Sequence, residues 1–249
     1  MRDYKAETKI RVEFVRGVIK SAGADGVVYG NSGGKDCALV GILCKMACDN
    51  TVGLIMPCGA KRNYDTDKTD AENMAQQFGI ETRVVDLSGV KDELVSCIGE
   101  KMRITDSALV NIAPRLRMTA LYAAAASENR LVAGTGNRSE TYMGYFTKWG
   151  DGAYDFNPIA DLTVTEIYEY LRYLKAPDFI FSKAPSAGLF DGQTDEGEMG
   201  VSYDSIDDFL LNGTTNRRDS AVIGKFHKSS EHKRNMPITF VFMLTMLWI

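Results

Sequence analysis

The chain has 249 residues, of which 45% are hydrophobic and 25% charged, a balance typical of a soluble globular protein with a sizeable core. Its net charge of −4 argues against a nucleic-acid partner, because proteins that bind nucleic acids usually carry a basic excess. The five cysteines show no CxxC spacing, which favours reduced thiols over a zinc site or a disulfide framework.

Neither end of the chain predicts a membrane segment. Residues 1–14 contain no apolar signal-peptide core, and the apolar run at 238–249 is too short to span a bilayer. We therefore expect a cytoplasmic protein with no membrane partner. The apolar tail could be a last buried strand, the cover of a subunit interface or an altered terminus, and the sequence leaves all three open.

The first half of the chain predicts alternating helices and strands. Apolar residues at helical spacing predict an initial helix, and the run GVVYG after it is typical of a short buried strand. Early acidic residues and a glycine stop mark a later helix. The predicted helices cover 7–20, 36–46 and 65–79, and the predicted strands cover 26–30, 51–58 and 81–87.

The second half continues the alternation with a helix over 111–129, a strand over 130–137 and a helix over 163–174. The pattern predicts a single α/β domain over 1–249: a three-layer, doubly wound parallel sheet with helices on both faces. Ligands of such sheets lie beyond the carboxyl ends of the strands. Glycine turns at 30–34 and 134–136 follow two predicted strands, so we expect the chemistry there.

The first of these turns has the composition of a phosphate cradle. Successive backbone N–H groups around Ser32, Gly33 and Gly34 could bind an anion, and the following helix N-terminus adds partial positive charge. The turn is neither a Walker loop, which needs G-x-x-x-x-G-K-[ST], nor a G-x-G-x-x-G dinucleotide fingerprint. A strand-to-helix turn without a ligand remains the alternative.

The longer string SGGKDCA is more specific, because it resembles the pyrophosphate-binding loop of the ATP pyrophosphatase superfamily. Members of that superfamily cleave ATP between the α and β phosphates. The resemblance implies that this loop holds the β and γ phosphates, which leave as pyrophosphate. The carboxylate of Asp36 would suit Mg²⁺, which takes oxygen ligands and bridges phosphates. A helix N-terminal aspartate stabilised by the helix dipole is the alternative.

The segment 134–163 forms a second constellation, dense in glycines and polar groups. If the strand before it lies beside the first strand, Glu140 could face Asp36, and the two carboxylates could share Mg²⁺. Thr135 at the strand end could bond the nucleotide. For any one of these residues, a solvated surface position remains the alternative.

The motifs together resemble one family, the NAD synthetases, over about residues 5–237. SGGKDCA, NIAPRLRM, GTGNRSE, GYFTKWGDGAYDFNP, KAPSAGL, GQTDE, YDSIDDFL and EHKR occur here in the order seen in that family. The resemblance implies an adenine nucleotide alpha hydrolase-like fold. It also implies a ligase that amidates deamido-NAD to NAD through an acyl-adenylate, consuming ATP and releasing AMP and pyrophosphate.

The resemblance also assigns residues to the substrates. It implies Mg²⁺ on Asp36 and Glu140, and Asp151 is a candidate for the group that guides or deprotonates the incoming nitrogen. The implied ATP-binding residues are Gly30, Asn31, Ser32, Gly33, Gly34, Lys35, Asp36, Cys37, Thr135 and Ser186, and the implied deamido-NAD-binding residues are Arg115, Lys148, Asp155, His232 and Lys233.

Two further expectations concern ammonia and the partner subunit. Glutamine-using relatives carry a large extra amidase domain, which this chain has no room for, so free ammonia is the expected nitrogen donor unless a separate partner supplies it. Relatives pair through their long helices, so we expect a homodimer with the helix over 115–129 as a contact. Burial of that helix within one subunit remains open.

One position departs from the family pattern. Val164 stands where relatives usually carry a lysine that contacts an ATP phosphate, and Lys35 or Lys183 could compensate for its loss. Two other functions stay open, the second of them because of Val164. One is an ATP pyrophosphatase that modifies tRNA, which the acidic charge and unpaired cysteines disfavour. The other is a nucleotide-binding regulatory protein without catalysis.

Overall fold

The computed structural model describes residues 2–60, 63–183, 185–186 and 194–240. Residues 241–249 of the apolar tail lie outside these ranges, as do parts of the KAPSAGL and GQTDE motifs. The described part of the tail includes Ile238 and Phe240, and both side chains are exposed. Within the described ranges, no helix combines the length and the apolar character needed to cross a bilayer.

The observed elements follow the predicted alternation and then add short helices toward the C-terminus. In chain order they are α1 (Tyr4–Ala22), β1 (Gly26–Gly30), α2 (Lys35–Ala47), β2 (Thr51–Ile55), α3 (Thr66–Gln77), β3 (Glu81–Val84), α4 (Ser88–Gly99), α5 (Asp106–Val110), α6 (Ile112–Ser127), β4 (Arg130–Ala133), α7 (Arg138–Met143), α8 (Val164–Tyr173), α9 (Phe179–Ser182), α10 (Asp195–Met199), α11 (Tyr203–Asn212), α12 (Arg217–Ser229) and α13 (Glu231–Arg234).

The described strands form one parallel sheet in the order β3-β2-β1-β4. Val28 of β1 pairs with Val52 of β2 on one side and with Val132 of β4 on the other. The strand before the second glycine turn therefore lies beside the first strand, as the Asp36–Glu140 hypothesis required. The strand order reverses between β1 and β4, which is where doubly wound sheets bind ligands.

Alternating side chains of β1 enter two separate apolar clusters. Val27 and Tyr29 pack with Leu39 of α2 and with residues of α1 and α8. Val28 points the other way and packs with Ala125 and other small residues of α6. Successive side chains of β1 thus pack alternately against helices on either face of the sheet, which confirms the predicted three-layer α/β architecture.

Three strands are shorter than predicted because the chain leaves the ladder at their carboxyl ends. β2 ends at Ile55, shortly before Pro57, which has no N–H to donate to a neighbouring strand. β3 ends at Val84, although Val85 N still donates to Ile55 O at 2.9 Å. After β4, the N–H of Gly134 bonds to Phe156 O at 2.8 Å and turns the chain away from the sheet.

A third apolar cluster lies beyond the sheet, among the helices that follow β4. Met143 of α7, Val164 of α8, Ile206 of α11 and Ile223 of α12 are all buried in it. These amphipathic helices bury their apolar faces against one another rather than against strands. The cluster therefore holds α7, which carries Glu140, against the carboxyl edge of the sheet.

Candidate active site

A cavity of about 550 Å³ opens at the carboxyl ends of β1 and β4. Its walls come from the glycine-rich loop, the end of β2, the first turns of α6, the segments around 134–136 and 143–153, and the last helices. This is the switch point of the sheet, so the fold supplies a ligand site where the glycine turns predicted one.

The glycine-rich loop has the backbone geometry of an anion cradle. Asn31 fixes it, because its Oδ1 accepts from Gly33 N at 3.3 Å and its Nδ2 donates to Ala71 O at 3.1 Å. Gly33 has φ +70°, and a Cβ there would lie 2.5 Å from Asp67 O. The loop therefore needs glycine both for its turn and for its contact with α3. The N-terminus of α2 follows at Lys35 and faces the cavity.

Asn137 connects the two carboxylates that the sequence placed on magnesium. Its buried Nδ2 donates to Asp36 Oδ1 at 3.0 Å. It also begins α7 with a capping box, in which its Oδ1 accepts from Glu140 N at 2.9 Å and its own N donates to Glu140 Oε2 at 3.2 Å. The structure thus brings Asp36 and Glu140 to one end of the cavity. Burial, reinforced by the charge of Asp36, raises the pKa of the Glu140 carboxyl well above its ordinary value.

Lys35 inserts an ammonium group into this acidic end. Its side chain is only 6% exposed, and Nζ lies 2.8 Å from Asp36 Oδ2 and 5.5 Å from the centre of the Tyr203 ring. Burial opposes the charge, but Asp36 and then Glu140 outweigh burial and raise the pKa of Lys35 above its ordinary value. Asp195 adds a third carboxylate, whose Oδ2 accepts from Tyr203 Oη at 3.1 Å.

The donors at this end fit a hard cation that also binds phosphate. Carboxylate oxygens are the protein ligands that Mg²⁺ prefers, and Mg²⁺ commonly uses one or two of them beside phosphate and water. Among the described residues, no group of three or more His, Cys, Asp or Glu side chains could hold a metal by itself. Asp36 and Glu140 therefore suit a metal whose other ligands are water or phosphate oxygens.

Two more basic groups line the cavity. Lys183 Nζ pairs with Asp67 Oδ1 at 2.7 Å and with Asp70 Oδ2 at 3.0 Å. Arg117 donates to Met56 O at 3.1 Å and to Asn63 Oδ1 at 3.2 Å. Burial lowers the pKa of Arg117. Both cations line the cavity, so each can meet an anionic ligand there.

Asp151 lies on the cavity wall near the C-terminal helices. Its Oδ1 accepts from Thr147 N at 2.9 Å. Burial raises the pKa of the Asp151 carboxyl, while the Thr147 bond, Lys233 and Arg117 oppose that rise. Lys233 Nζ is held by Gly144 O and Phe146 O, both at 2.8 Å. A carboxylate whose pKa moves toward neutrality is suited to exchange a proton.

Most residues that the sequence assigned to the site line this cavity. Those lining it are Gly30, Asn31, Ser32, Gly34, Lys35, Asp36, Cys37, Thr135, Glu140, Asp151, Ser186 and Lys233. Gly33 lies on the side of the loop that packs against α3. Cys37 Sγ lies 3.2 Å from Ser32 Oγ, and burial raises the pKa of its thiol, which favours the packed residue over a reactive thiolate.

The remaining assigned residues lie outside the cavity wall. Exposed Arg115 donates to Lys148 O at 3.4 Å, and Lys148 Nζ donates to His232 O and to Asn235 O, so Arg115, Lys148 and His232 form one cluster beside the cavity. Asp155 lies apart, where its Oδ2 accepts from Val132 N at 2.7 Å and its Oδ1 from Tyr122 Oη at 3.2 Å.

Sequence analysis missed several residues that the structure places in the site. Arg117 is the second arginine of PRLRM, and it lines the cavity where Arg115 does not, because residues two apart on a helix point to different sides. Asp195 and Tyr203 lie in the GQTDE and YDSIDDFL motifs, but the sequence assigns no role to either residue. In the folded chain, α11 places the Tyr203 ring beside the Lys35 ammonium, and α10 places Asp195 in contact with Tyr203.

Val164, where the sequence departs from the family pattern, is buried in the structure. Val164 is 3% exposed and packs in the third apolar cluster with Tyr203 and Ile206, at the first residue of α8. The side chain therefore contributes to the core rather than to the cavity. The two lysines that could compensate, Lys35 and Lys183, both line the cavity.

Residues 7–237 match the family of NAD synthases. The curated NH(3)-dependent NAD(+) synthetase of Carboxydothermus hydrogenoformans is 43% identical over 243 residues, covering 94% of this chain and 97% of that protein. NMN synthetase from Francisella tularensis superposes with a TM-score of 0.91 at 35% identity, covering 97% of this chain and 100% of the other. NH3-dependent NAD synthetase from Campylobacter jejuni superposes with a TM-score of 0.80 at 29% identity, with the same coverage.

Proposed function

The chain belongs to the NAD synthase family, and from that premise we propose that it amidates deamido-NAD to NAD with ATP and free ammonia. The observation that carries the proposal is the glycine-rich cradle with Asp36 and Glu140 beside it, at one end of a cavity large enough for a nucleotide. A cradle with carboxylates suits a triphosphate that loses pyrophosphate, and the ligase reaction needs that cleavage.

The first chemical step activates a poor acyl donor. A carboxylate oxygen of the nicotinate ring attacks the α phosphorus of ATP, and the bond from that phosphorus to the bridging oxygen breaks. Pyrophosphate leaves with the bond electrons, and an acyl-adenylate remains. The cradle N–H groups and Lys35 hold the β and γ phosphates in line with the attacking oxygen, so the protein acts by orientation and charge stabilisation.

The second step transfers nitrogen. Ammonia attacks the acyl carbon, the bond from that carbon to the phosphate oxygen breaks, and AMP leaves. The nitrogen must lose a proton on the way to the amide, and Asp151 is the carboxylate on the cavity wall whose raised pKa suits that transfer. Lys233 beside it balances the charge of Asp151 in its ionised form.

Mg²⁺ belongs to this proposal through the residues that would hold it. Asp36 and Glu140 offer oxygen ligands, and the phosphates supply the rest. When bound, the ion neutralises the charge that develops on the departing pyrophosphate. Asn137 keeps both carboxylates in place for that contact.

We assign the remaining binding residues from the family motifs and the geometry together. Thr135 and Ser186 line the cavity and suit contacts to ATP. Lys233 reaches the same cavity, and the cluster of Arg115, Lys148 and His232 beside it suits the far part of deamido-NAD, since basic groups bind pyrophosphate. Asp155 is assigned to a ribose hydroxyl, because each of its carboxylate oxygens accepts one bond here and can accept a second.

A second acid substrate has support of its own. The structure of a protein described as NMN synthetase superposes on this chain with a TM-score of 0.91. The same amidation applied to nicotinic acid mononucleotide gives NMN, and the acyl chemistry at the nicotinate carboxylate is identical. The two substrates differ only in whether an adenylyl half must also be bound.

The decisive test measures products from ATP, Mg²⁺ and ammonium with either deamido-NAD or nicotinic acid mononucleotide. We expect AMP and NAD in equal amounts from deamido-NAD, and no amide product from Asp36→Ala that circular dichroism shows to be folded. A higher kcat/KM with the mononucleotide would move the assignment to NMN. Folded wild type that forms neither amide would refute the proposal.

Pyrophosphate exchange separates the other functions. ATP–pyrophosphate exchange that depends on the nicotinate substrate supports the ligase, whereas exchange that depends on tRNA would support a tRNA-modifying enzyme. Binding of ATP with no exchange under any condition would support a regulatory protein. Each outcome assigns one of the three functions left open by the sequence.

The partner and compartment complete the proposal. We infer a homodimer, because α4 packs on α6 and leaves Val90 and Leu94 exposed on the surface beside the long helix. We infer the cytoplasm, because all five cysteines are free and three of them, Cys37, Cys44 and Cys58, are buried.

A further inference from the structure

We propose that the ammonium of Lys35 is the resting counter-ion of the Asp36–Glu140 pair, and that it moves to the leaving pyrophosphate when magnesium and ATP enter. The first half of this statement concerns the protein alone. The second half rests on the proposed function, because it requires a nucleotide that loses pyrophosphate.

The position of the ammonium group supports the resting role. Nζ lies 2.8 Å from Asp36 Oδ2, and the side chain is 6% exposed. Glu140 is the second acid that favours the charged form of Lys35, after Asp36. The aliphatic stem is enclosed by protein, and the ring of Tyr203 lies 5.5 Å from Nζ. A buried lysine remains charged only where such partners exist.

Several carboxyl groups gather at the acidic end of the cavity. Asp36 and Glu140 are held close together by Asn137, and Asp195 adds to the negative potential at Glu140. Neighbouring carboxylates repel one another, which adds to burial in raising the pKa of Glu140, so a cation beside them favours the ionised pair. Lys35 contacts Asp36 directly, and the charge of Glu140 also favours its ammonium form, so Lys35 offsets part of this repulsion.

The arrival of magnesium must then change the role of Lys35. A metal on Asp36 replaces the ammonium as the neutralising charge, and Lys35 has to give up that carboxylate. Lys35 begins α2, directly after the Gly33–Gly34 turn of the cradle, so its ammonium is close to where phosphates would bind. Charge-assisted contact with pyrophosphate oxygens is the exchange that the geometry offers.

Lys183 is the other cavity lysine, and its pairing distinguishes it from Lys35. Its ammonium is held by Asp67 and Asp70 on α3, away from Glu140. It therefore has its own acidic partners on α3, and we expect it not to respond to a metal on Asp36. This makes Lys183→Met a matched control that removes the same charge from the same cavity.

The experiment measures melting temperature in EDTA and during titration with MgCl₂, for wild type, Lys35→Met and Lys183→Met. We expect Lys35→Met to melt at least about 5 °C below wild type in EDTA, because it leaves the partly buried Asp36 carboxylate without its ion pair. We also expect its half-maximal Mg²⁺ concentration to fall about tenfold, because no ammonium competes for Asp36. Lys183→Met is expected to keep the wild-type Mg²⁺ midpoint. An unchanged midpoint in Lys35→Met would overturn the resting role.

A double variant separates the effect of the Lys35 charge from that of the packing of its side chain. Lys35→Met combined with Glu140→Gln removes both the cation and one of the charges that need it, so we expect it to recover most of the stability lost in EDTA. A double variant as unstable as Lys35→Met alone would show that the lysine stem, rather than its charge, supports the fold. That result would also overturn the proposal.

Calorimetry with Mg²⁺ and pyrophosphate tests the second half. Loss of one charge-assisted contact is expected to weaken pyrophosphate binding to Lys35→Met by about tenfold or more relative to wild type. Equal affinity in the two proteins would overturn the transfer to pyrophosphate. Neither measurement requires deamido-NAD or turnover, so a failure here is distinct from a failure to form NAD.

Discussion

At the scale of single residues, Asn137 determines how the acidic end of the site is built. One buried amide donates to Asp36, accepts from the backbone of Glu140 and begins α7. The sequence contained a signal for it, since N-x-x-E before a helical segment is a capping-box pattern. Its second role, the bond to Asp36, was not visible because it joins residues 101 positions apart.

Asp151 is the residue whose chemistry is most directly measurable. We expect Asp151→Asn to lower the rate of NAD formation by roughly 10²–10⁴-fold, because a general base is lost, while substrate-dependent ATP–pyrophosphate exchange persists. Only the ionised carboxylate accepts a proton, and burial raises its pKa, so the wild-type rate should fall with decreasing pH nearer to neutrality than an ordinary aspartate would allow.

The measurement is kcat against pH at a fixed concentration of un-ionised ammonia, since that concentration itself depends on pH. The acidic limb due to Asp151 should be absent from Asp151→Asn. A variant with wild-type kcat and the same pH profile would contradict the role. Equal losses in NAD formation and in exchange would instead place Asp151 in substrate binding.

At the scale of elements, the sequence predicted five helices and the four described strands, but not α4, α5, α7 or the helices after α8. The helices α1, α2, α3, α6 and α8 and all four described strands match predicted segments, because apolar periodicity marks each of them. No helix was predicted after residue 174, although α9 to α13 follow. These helices have 4–13 residues, and packing among themselves stabilises them. Caps at Thr194, Ser202 and Asn216 were the available signals.

The junction between α7 and α12 depends on one glycine. Gly144 has φ +67°, and a Cβ there would lie 2.0 Å from Ser230 Cβ. We expect Gly144→Ala to lower the free energy of unfolding by more than about 3 kcal/mol, because steric overlap in a packed region adds to the backbone cost of about 1–2 kcal/mol. The overlap would also displace Gly144 O, which holds Lys233.

Gly200 provides the matched control for this change. Its φ is +70°, and an added Cβ would meet nothing within 4 Å, so Gly200→Ala carries the backbone cost without the overlap. Urea unfolding of the two variants separates the contributions. Equal losses of stability in both would mean that the contact with Ser230 does not matter.

At the scale of the whole molecule, the surface beside α6 carries the expected subunit contact. Val90 and Leu94 lie four residues apart on α4 and so share one face, with 53% and 37% of each residue exposed. We expect Leu94→Glu to convert the inferred dimer to a monomer in analytical ultracentrifugation, because a charge cannot be buried there without a partner. Leu211→Glu on α11, at 44% exposure, is the control and should leave the dimer intact.

A wild-type protein that sediments as a monomer would refute the inferred dimer outright. A dimer that survives Leu94→Glu would move the contact to another surface. The sequence predicts pairing through the helix over 115–129. The Leu94→Glu variant tests this prediction on α4, the helix that packs beside it.

The bond between Asn137 and Asp36 also bears on the order in which the site is synthesised. The two residues are 101 positions apart, and at roughly 5–20 residues per second the ribosome releases the cradle about 5 to 20 s before Asn137 follows. β1 likewise waits for β4, its neighbour in the sheet. Lys35 adjoins Asp36 in the chain, so it is the one partner from this end of the site that is made at the same moment. A nascent chain paused after α6 therefore presents half of a nucleotide site, with its charge already balanced but its second wall not yet synthesised.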